Sequence, residues 1–218
     1  FAFKDYLNAK GEEITDFYEE TIKGDFLDGV GSVRKINVKE EYFKAINDGL
    51  EFGDKRIKAV LDPGNGTTSI ILKELYSMFP IDFTIINGES DGTFPNHHPD
   101  SSIEANLEQL KTKVLETGAD IGVSFDGDGD RVGVITNEGK LLPCDYYMIL
   151  IIRDIIDKVK NKTFLYDVKC SKSLEDEIIK LGGSPVCYRT GNSYTRSRVA
   201  ELDMPFGGEL SGHVYFRD

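Results

Sequence analysis

Three carboxylates at alternate positions form the strongest chemical signal in this sequence of 218 residues. Asp126, Asp128 and Asp130 are separated by single glycines, and Arg131 follows directly. Glycine lets the backbone bend through positive φ, so the alternate carboxylates can converge on one point. Clustered carboxylates repel one another unless a cation lies among them, and hard oxygen ligands suit Mg²⁺, with Mn²⁺ or Ca²⁺ as alternatives. We therefore predict a metal site, with Arg131 available for a phosphate oxygen pair.

The same loop has three other interpretations. A merely solvated acidic turn would have no need of three carboxylates between two apolar strands. A calcium-binding EF-hand loop starting at Asp126 needs glycine and glutamate at the positions held by Arg131 and Asn137, so that interpretation fails. A phosphatase that forms an acyl phosphate on Asp126 stays open as an alternative, because an apolar strand leads into this residue.

A second group of polar residues lies near the end of the sequence. The segment Phe206–Phe216 places Glu209, Ser211 and His213 at alternate positions. In an extended segment these side chains project to the same side, where an acceptor, a hydroxyl and an imidazole together suit the hydroxyls of a sugar. Lys169 lies at the carboxyl end of a predicted strand, where open α/β sheets bind ligands, and it is a candidate phosphate contact or simply a surface lysine.

Two further motifs are less informative. The adjacent residues His97 and His98 would point in opposite directions on an extended chain, so we expect packing or an interdomain contact and not a shared metal ion. The turn Asp62–Thr68 joins a strand to a helix, a geometry that can hold an anion, but the Walker lysine and the Gly-x-Gly-x-x-Gly spacing are missing. We therefore assign this turn a structural role.

Apolar periodicity predicts an α/β fold around these motifs. Expected strands cover residues 56–61, 81–86, 121–125, 132–135, 163–168 and 185–188, and expected helices cover 12–22, 40–50, 70–79, 102–117, 145–159, 171–181 and 193–201. Residues 1–8 are expected to be extended, and the glycines after residue 23 indicate a linker. The alternation predicts two consecutive mixed α/β domains, with helices packed on both faces of mainly parallel sheets.

Composition excludes several classes of protein. The formal net charge of −12 argues against nucleic acid and against anionic membranes as partners, so a phosphorylated ligand needs local basic groups. No apolar stretch approaches the length of a membrane span. Three cysteines without metal-ligand spacing indicate reduced, buried thiols in a cytoplasmic protein. Because the sequence begins with Phe1 and stops just after an apolar strand, we expect a fragment of a longer protein.

Three segments, in this order, resemble the α-D-phosphohexomutase family, specifically its phosphomannomutase/phosphoglucomutase branch. Residues 94–99 (FPNHHP) are similar to one of its hallmarks, residues 126–131 (DGDGDR) to its metal loop and residues 208–213 (GELSGH) to its sugar-binding loop. The similarity extends over essentially the whole chain, and family members of this kind have four domains.

The resemblance implies a domain division. Residues 1–37 correspond to the tail of the first domain, which carries a phosphoserine, and to a linker. Residues 38–141 correspond to the metal-binding second domain, and residues 142–218 to most of the sugar-binding third domain.

The resemblance also implies an activity, namely the interconversion of hexose 1-phosphates and hexose 6-phosphates through a phosphoserine and a hexose 1,6-bisphosphate. Mannose and glucose phosphates are the expected ligands, and Mg²⁺ the cofactor. The implied metal ligands are Asp126, Asp128 and Asp130; the implied substrate contacts are Lys169, Asn192, Glu209 and Ser211; the implied catalytic groups are Arg131 and His213. Arg131 would contact the phosphate, and His213, in its neutral form, would accept a proton from a sugar hydroxyl.

The sequence departs from the family pattern at several points. No Thr/Ala-Ser-His-Asn-Pro segment, which carries the nucleophile of the family, occurs in these residues, and the phosphate-binding fourth domain has no counterpart. Asn192 stands where histidine is frequent, and Arg196 where lysine is common. We therefore expect the 218 residues alone to be inactive. A non-catalytic module that binds a metal or a sugar phosphate is the remaining alternative.

Overall fold

The predicted strands between residues 56 and 188 all form in this computed structural model, which describes residues 3–4, 7–8, 11–24, 26 and 28–217, with the backbone alone at 3–4 and 7–8. The α-helices in these ranges are α1 (Glu12–Lys23), α2 (Lys39–Asp48), α3 (Leu72–Tyr76), α4 (Glu108–Thr117), α5 (Cys144–Ile155), α6 (Lys172–Lys180) and α7 (Asn192–Glu201). The strands are β1 (Phe3–Lys4), β2 (Leu7–Asn8), β3 (Lys58–Asp62), β4 (Asp82–Ile85), β5 (Ile121–Phe125), β6 (Val132–Thr136), β7 (Leu141–Leu142), β8 (Thr163–Asp167), β9 (Ser184–Tyr188), β10 (Phe206–Gly208) and β11 (Val214–Phe216).

The first large sheet has the strand order β4-β3-β5-β6-β7. Its β3 pairs in parallel with β4 and β5, whereas β5, β6 and β7 pair antiparallel. Successive residues of a strand point to opposite faces. Val60 accordingly packs with Leu110 and Val114 of α4, whereas Leu61 packs with Leu72 of α3 on the other face.

The second large sheet has the order β11-β10-β8-β9, in which β8 pairs in parallel with both β9 and β10. On one face, Met148 of α5 and Leu174 of α6 cover Phe164. On the other face, Val199 of α7 packs against Leu165. The predicted fold, mixed α/β with helices on both faces of the sheets, is therefore confirmed.

The helix predicted over residues 102–117 begins later than expected. Ile103 is extended, a short 3-10 helix covers Glu104–Leu107, and α4 starts only at Glu108. The reason is local: the carboxylate of Asp100 accepts hydrogen bonds from the N–H (3.0 Å) and the hydroxyl (2.6 Å) of Ser102, which forms a turn in place of the first helical turn.

The prediction that Phe206–Phe216 forms one extended segment is wrong. Residues 206–208 and 214–216 are two strands of an antiparallel hairpin, and the residues between them form a tight turn. In this turn the N–H of Glu209 donates to the carbonyl of His213 (2.9 Å), and the N–H of Gly212 donates to the carbonyl of Glu209 (3.0 Å). Gly212 has φ +102°, a conformation that side chains other than glycine rarely adopt, so the strand cannot continue through it.

The expectation of buried thiols holds for only part of the set. Cys144 is buried, but Cys187 is exposed because β9 is an edge strand of the second sheet.

Part of the predicted extended segment Phe1–Asn8 lies outside the described residues; β1 and β2, where described, pair antiparallel. Among the described helices, none combines the length and the apolar character that crossing a membrane requires. The predicted domain boundaries, after residues 37 and 141, stay a prediction.

Leu110 and Leu115 lie on the same helix α4, but Leu110 is fully buried and Leu115 is 57 % exposed. Leu110→Ala should therefore lower the free energy of unfolding by about 2–5 kcal/mol, because it removes apolar contacts and leaves a cavity. The matched change Leu115→Ala should cost about 1 kcal/mol at most. Urea unfolding followed by circular dichroism measures both values, and equal losses would contradict the packing described for α4.

Candidate functional site

The loop between β5 and β6 brings the three aspartates together. Asp126, Asp128 and Asp130 offer carboxylate oxygens that all lie within 4.8 Å of one another. Gly129 makes this turn with φ +79°, and a Cβ there would lie 2.7 Å from the methyl group of Thr68. Both the conformation and the close contact therefore require glycine at this position.

Asp126 and Arg131 form the inner part of this loop. Asp126 is 1 % exposed, and one of its oxygens accepts the N–H groups of Gly129 (3.1 Å) and Arg131 (3.0 Å). Its other oxygen accepts Nε of Arg131 at 2.6 Å. Nη1 of the same guanidinium lies 3.4 Å from Asp100. The charge of Arg131 thus compensates the buried carboxylate, as a charge removed from water requires.

Asp128 has a charge that its surroundings do not fully balance. Desolvation raises the pKa of Asp128, and repulsion by Asp130 and Asp126 raises it further. A divalent cation among the three carboxylates would remove this repulsion and reverse the shift. The donor set, which consists of carboxylate oxygens on a short loop, therefore fits Mg²⁺.

Residues 94–100 support the loop of residues 126–131, here called the aspartate loop, from one side. The N–H of Gly127 donates to the carbonyl of Pro99 at 3.1 Å. Nε2 of His97 lies 3.1 Å from Oδ2 of the buried Asp62, and Nδ1 lies 3.0 Å from the carbonyl of His98. The structure thus gives His97 a packing role under the loop, and neither histidine belongs to the aspartate group.

Glu209, Ser211 and His213 do meet, although a turn and not a strand brings them together. Nδ1 of His213 lies 3.1 Å from Oε2 of Glu209 and 3.2 Å from the hydroxyl of Ser211. The hydroxyl of Ser211 is in turn 3.4 Å from Oε2 of Glu209. The sequence therefore identified the members of this group correctly and their backbone conformation incorrectly.

Glu209 is held from behind by the beginning of α7. Its Oε1 accepts the N–H of Gly191 (2.9 Å) and the hydroxyl of Thr195 (2.6 Å), and the residue is only 1 % exposed. Burial by itself would raise the pKa of Glu209, but the hydrogen bonds from His213, Thr195 and Gly191 outweigh it and lower the pKa to about 2. Glu209 is therefore ionised at neutral pH.

Asp130 connects the aspartate loop to the second sheet. Its Oδ1 lies 3.2 Å from Nε2 of His213, and its Oδ2 accepts Nδ2 of Asn192 at 3.1 Å. The imidazole of His213 therefore stands between two carboxylates. Burial opposes its protonation, yet the hydrogen bond to Glu209 and the charge of Asp130 raise its pKa. These contacts favour the charged form relative to an isolated imidazole, and the neutral imidazole expected from the sequence stays a prediction.

A cavity of about 720 Å³ lies beside this contact between the two sheets. Its polar lining includes Asp130, Arg131, Asn192, Arg196 and His213. Two arginines of the lining, Arg131 and Arg196, come from the aspartate loop and from α7, so the cavity offers local positive charge within a chain whose net charge is −12. The acidic composition had made such local positive charge necessary for binding a phosphorylated ligand.

Lys169, a predicted substrate contact, lies beside a buried carboxylate. It follows β8, is about half exposed, and has its Nζ 3.6 Å from Oδ2 of the buried Asp167. It does not line the cavity described above. An approach of Lys169 to a ligand in that cavity stays a prediction.

Sequence reasoning missed three residues that organise the site. Asp62 and Asp167 end two apolar strands in the same way that Asp126 follows a third, and this repetition could have identified them. No comparable sequence pattern identifies Thr195, because a threonine inside a polar helix does not stand out in a sequence. The role of its buried hydroxyl follows only from the tertiary structure, in which it donates a hydrogen bond to Glu209.

Comparison with known proteins gives matches over both sheets. Residues 40–139 match the family model described as phosphoglucomutase/phosphomannomutase, alpha/beta/alpha domain II. Residues 143–218 match the model described as alpha/beta/alpha domain III of the same family.

Individual relatives agree with the family models. A phosphomannomutase/phosphoglucomutase of Pseudomonas aeruginosa is 38% identical over 207 residues, which cover 95% of this chain and 44% of that protein. The crystal structure of a family protein from Burkholderia thailandensis superposes with a TM-score of 0.93 at 32% identity, covering 98% of this chain and 46% of that one. The chain thus spans a little under half the length of these relatives.

A more distant structure shares the fold. It is the N-acetylphosphoglucosamine mutase of Aspergillus fumigatus in complex with GlcNAc-6P and magnesium. Its TM-score is 0.56 at 21% identity, and the match covers 81% of this chain and 36% of that one.

The pair of His97 and Asp62 predicts a pH dependence of stability. The hydrogen bond to Asp62 raises the pKa of His97 above the value of about 6.5 that an unfolded histidine has. A raised folded-state pKa contributes stability that is complete below about pH 6.5 and is lost as the pH rises through the folded-state pKa. Between about pH 6 and pH 8 the free energy of unfolding in urea should therefore fall for the wild type, and it should fall less for His97→Gln.

The exposed neighbour provides the control for this measurement. His98→Gln should keep the pH dependence of the wild type, because His98 does not contact Asp62. A pH dependence that persists in His97→Gln and disappears in His98→Gln would contradict the assignment.

Proposed function

Because the chain belongs to the phosphoglucomutase/phosphomannomutase family, we propose that the complete protein interconverts hexose 1-phosphates and hexose 6-phosphates by phosphoryl transfer. The observation that carries this proposal is the contact between the aspartate loop and the turn of residues 209–213, which we call the sugar-binding turn. Asp130 of the loop and His213 of the turn approach to 3.2 Å beside a cavity of about 720 Å³ with arginine side chains in its lining. A metal site and a site for sugar hydroxyls at this distance can act on the two ends of one small molecule.

In this proposal Asp126, Asp128 and Asp130 hold Mg²⁺. When bound, the ion supplies compensation for the negative charge of a transferring phosphoryl group. The choice of Mg²⁺ is supported by the carboxylate donor set and by the magnesium complex of the A. fumigatus protein with the same fold.

Arg131 binds phosphate oxygens in this proposal. Its Nε is committed to Asp126 at 2.6 Å, which fixes the plane of the guanidinium. Its side chain keeps 28% of its exposure and lines the cavity, so nitrogen donors are left for a ligand. A guanidinium held in one plane can offer two parallel N–H groups to a phosphate without a large loss of side-chain entropy.

Glu209 and Ser211 contact sugar hydroxyls. The four lone-pair positions of the Glu209 carboxylate face four neighbours, and the hydroxyl of Ser211, at 3.4 Å, is the most distant of them. A sugar hydroxyl would take this place on Oε2, and the freed Ser211 hydroxyl would bind a second one. Asn192 and Lys169 complete the set of proposed substrate contacts.

His213 transfers a proton to or from the reacting hydroxyl. Between Glu209 and Asp130 the imidazole has a carboxylate at each ring nitrogen, so exchange of a proton with a sugar hydroxyl requires one of these two contacts to open. The contact with Asp130 is one of several between the two sheets, since Asn192 also donates to Asp130 at 3.1 Å and the N–H of Val132 donates to the carbonyl of Gly212 at 3.2 Å. The contact to Glu209 lies within one hairpin and would keep the ring in place.

The alternative of an aspartyl phosphatase has less support. Its nucleophile would be Asp126, which is 1 % exposed and has both oxygens engaged by Gly129 and Arg131. An attacking carboxylate needs a free lone pair in line with the phosphorus atom. A non-catalytic binding module differs from a mutase only in turnover, so it is separated by experiment. A cytoplasmic location stays a prediction.

The function is tested by assaying the protein expressed from its complete reading frame with glucose 1-phosphate, mannose 1-phosphate and Mg²⁺. The wild type should form the 6-phosphates, and Asp128→Asn should lower kcat by about 100-fold or more, because one ligand of the metal loses its charge. Release of inorganic phosphate without mutase activity would favour the phosphatase. Metal and ligand binding with no reaction would favour the binding module.

Metal binding is measured separately, by Mn²⁺ titration of the 218-residue chain followed by electron paramagnetic resonance. Asp128→Asn should weaken Mn²⁺ binding at least about tenfold, since even loss of an outer-shell partner has that effect. The matched control is Asp157→Asn, whose carboxylate is 89% exposed and pairs with Lys162. Equal affinities in the two variants would refute the metal site.

A further inference from the structure

Thr195 is a buried hydroxyl that faces the sugar-binding turn from behind. It lies in the middle of α7, has no exposed surface, and donates from Oγ1 to Oε1 of Glu209 at 2.6 Å. The N–H of Gly191, just before α7, donates to the same oxygen at 2.9 Å. One oxygen of a buried carboxylate is therefore held entirely by the first part of this helix.

The other oxygen of Glu209 faces the ligand side. Oε2 lies 3.1 Å from Nδ1 of His213 and 3.4 Å from the hydroxyl of Ser211. A carboxylate is planar and rigid, so holding Oε1 at two donors also sets the direction of Oε2. The orientation of Ser211 and His213 thus depends on the contact that Glu209 makes behind them.

We propose that Thr195 is a positioning residue of the sugar-phosphate site, and that its hydroxyl orients Glu209 and, through Glu209, both Ser211 and His213. This inference rests on the function proposed above. Thr195 is fully buried, so it acts on the ligand only through Glu209. Threonine is a weak helix former, and burying its hydroxyl has a cost unless a partner accepts the hydrogen bond. Glu209 is that partner.

A second buried hydroxyl on the same helix gives a matched control. Ser197 is 7 % exposed and donates to the carbonyl of Ser193 at 2.8 Å, a contact within the helix backbone. Removing this hydroxyl changes α7 to a similar extent as removing that of Thr195. It leaves the hydrogen bonds of Glu209 untouched.

The experiment uses the protein expressed from its complete reading frame and compares Thr195→Val, Thr195→Ser and Ser197→Ala. Valine keeps the shape of threonine and lacks the hydroxyl, so kcat/KM for glucose 1-phosphate should fall about 10- to 100-fold. Thr195→Ser retains the donor and should stay within about threefold of the wild type, as should Ser197→Ala. Affinity for Mn²⁺ should change far less than kcat/KM in all three variants, because Thr195 reaches the aspartate loop only indirectly, through Glu209 and the contact of His213 with Asp130.

A cycle with Glu209→Gln distinguishes positioning from a general loss of structure. If Thr195 acts through the Glu209 carboxylate, Thr195→Val should add less than about threefold to the loss already caused by Glu209→Gln. Full additivity, an equal loss in Ser197→Ala, or a parallel loss of Mn²⁺ affinity in Thr195→Val would each overturn the inference. Thermal unfolding is recorded for every variant, and Thr195→Ala replaces the valine variant in the cycle if the latter does not fold.

The two proposals fail in different ways. A wild-type protein that neither converts nor binds hexose phosphates would refute the proposed function. A wild-type mutase whose kcat/KM is unaffected by Thr195→Val would refute only the role of Thr195.

Discussion

The burial of four carboxylates at the ends of parallel strands is the constraint on which the rest of this structure depends. Asp62 and Asp167 are the last residues of β3 and β8, and Asp126 and Glu209 directly follow β5 and β10. All four are at most 1 % exposed. A carboxylate removed from water is costly unless donors surround it, so each loop at this edge of the sheets has to fold in a way that supplies them.

The loops meet this requirement with both backbone and side-chain donors. Asp167 accepts the hydroxyl of Thr190 at 2.7 Å and the N–H of Leu210 at 3.2 Å, so one carboxylate joins the turn before α7 to the sugar-binding turn. Glu209 joins the same two segments through Gly191 and His213. The conformation of the candidate sugar site is therefore a consequence of charge compensation, and hydrophobic packing supplies the sheets beneath it.

Asp130 lies where side chains associated with the two sheets contact each other. It belongs to the potential metal ligands, yet it also contacts Asn192 and His213 of the second sheet. The same carboxylate thus belongs both to the group of three aspartates and to a contact between the two sheets. In a chain with a net charge of −12, the cavity beside this contact is lined by three arginines, Arg131, Arg196 and Arg217.

The sequence by itself determined the α/β fold and the convergence of Asp126, Asp128 and Asp130, because both depend on short-range patterns: apolar periodicity and glycines at alternate positions. It also predicted that Glu209, Ser211 and His213 meet, but not the turn that brings them together. Only the tertiary structure decided that turn and the support from Thr195, since these depend on pairing between β10 and β11 and on a hydrogen bond between residues 14 positions apart. Buried carboxylates select their donors by distance in space, which spacing along a sequence does not specify.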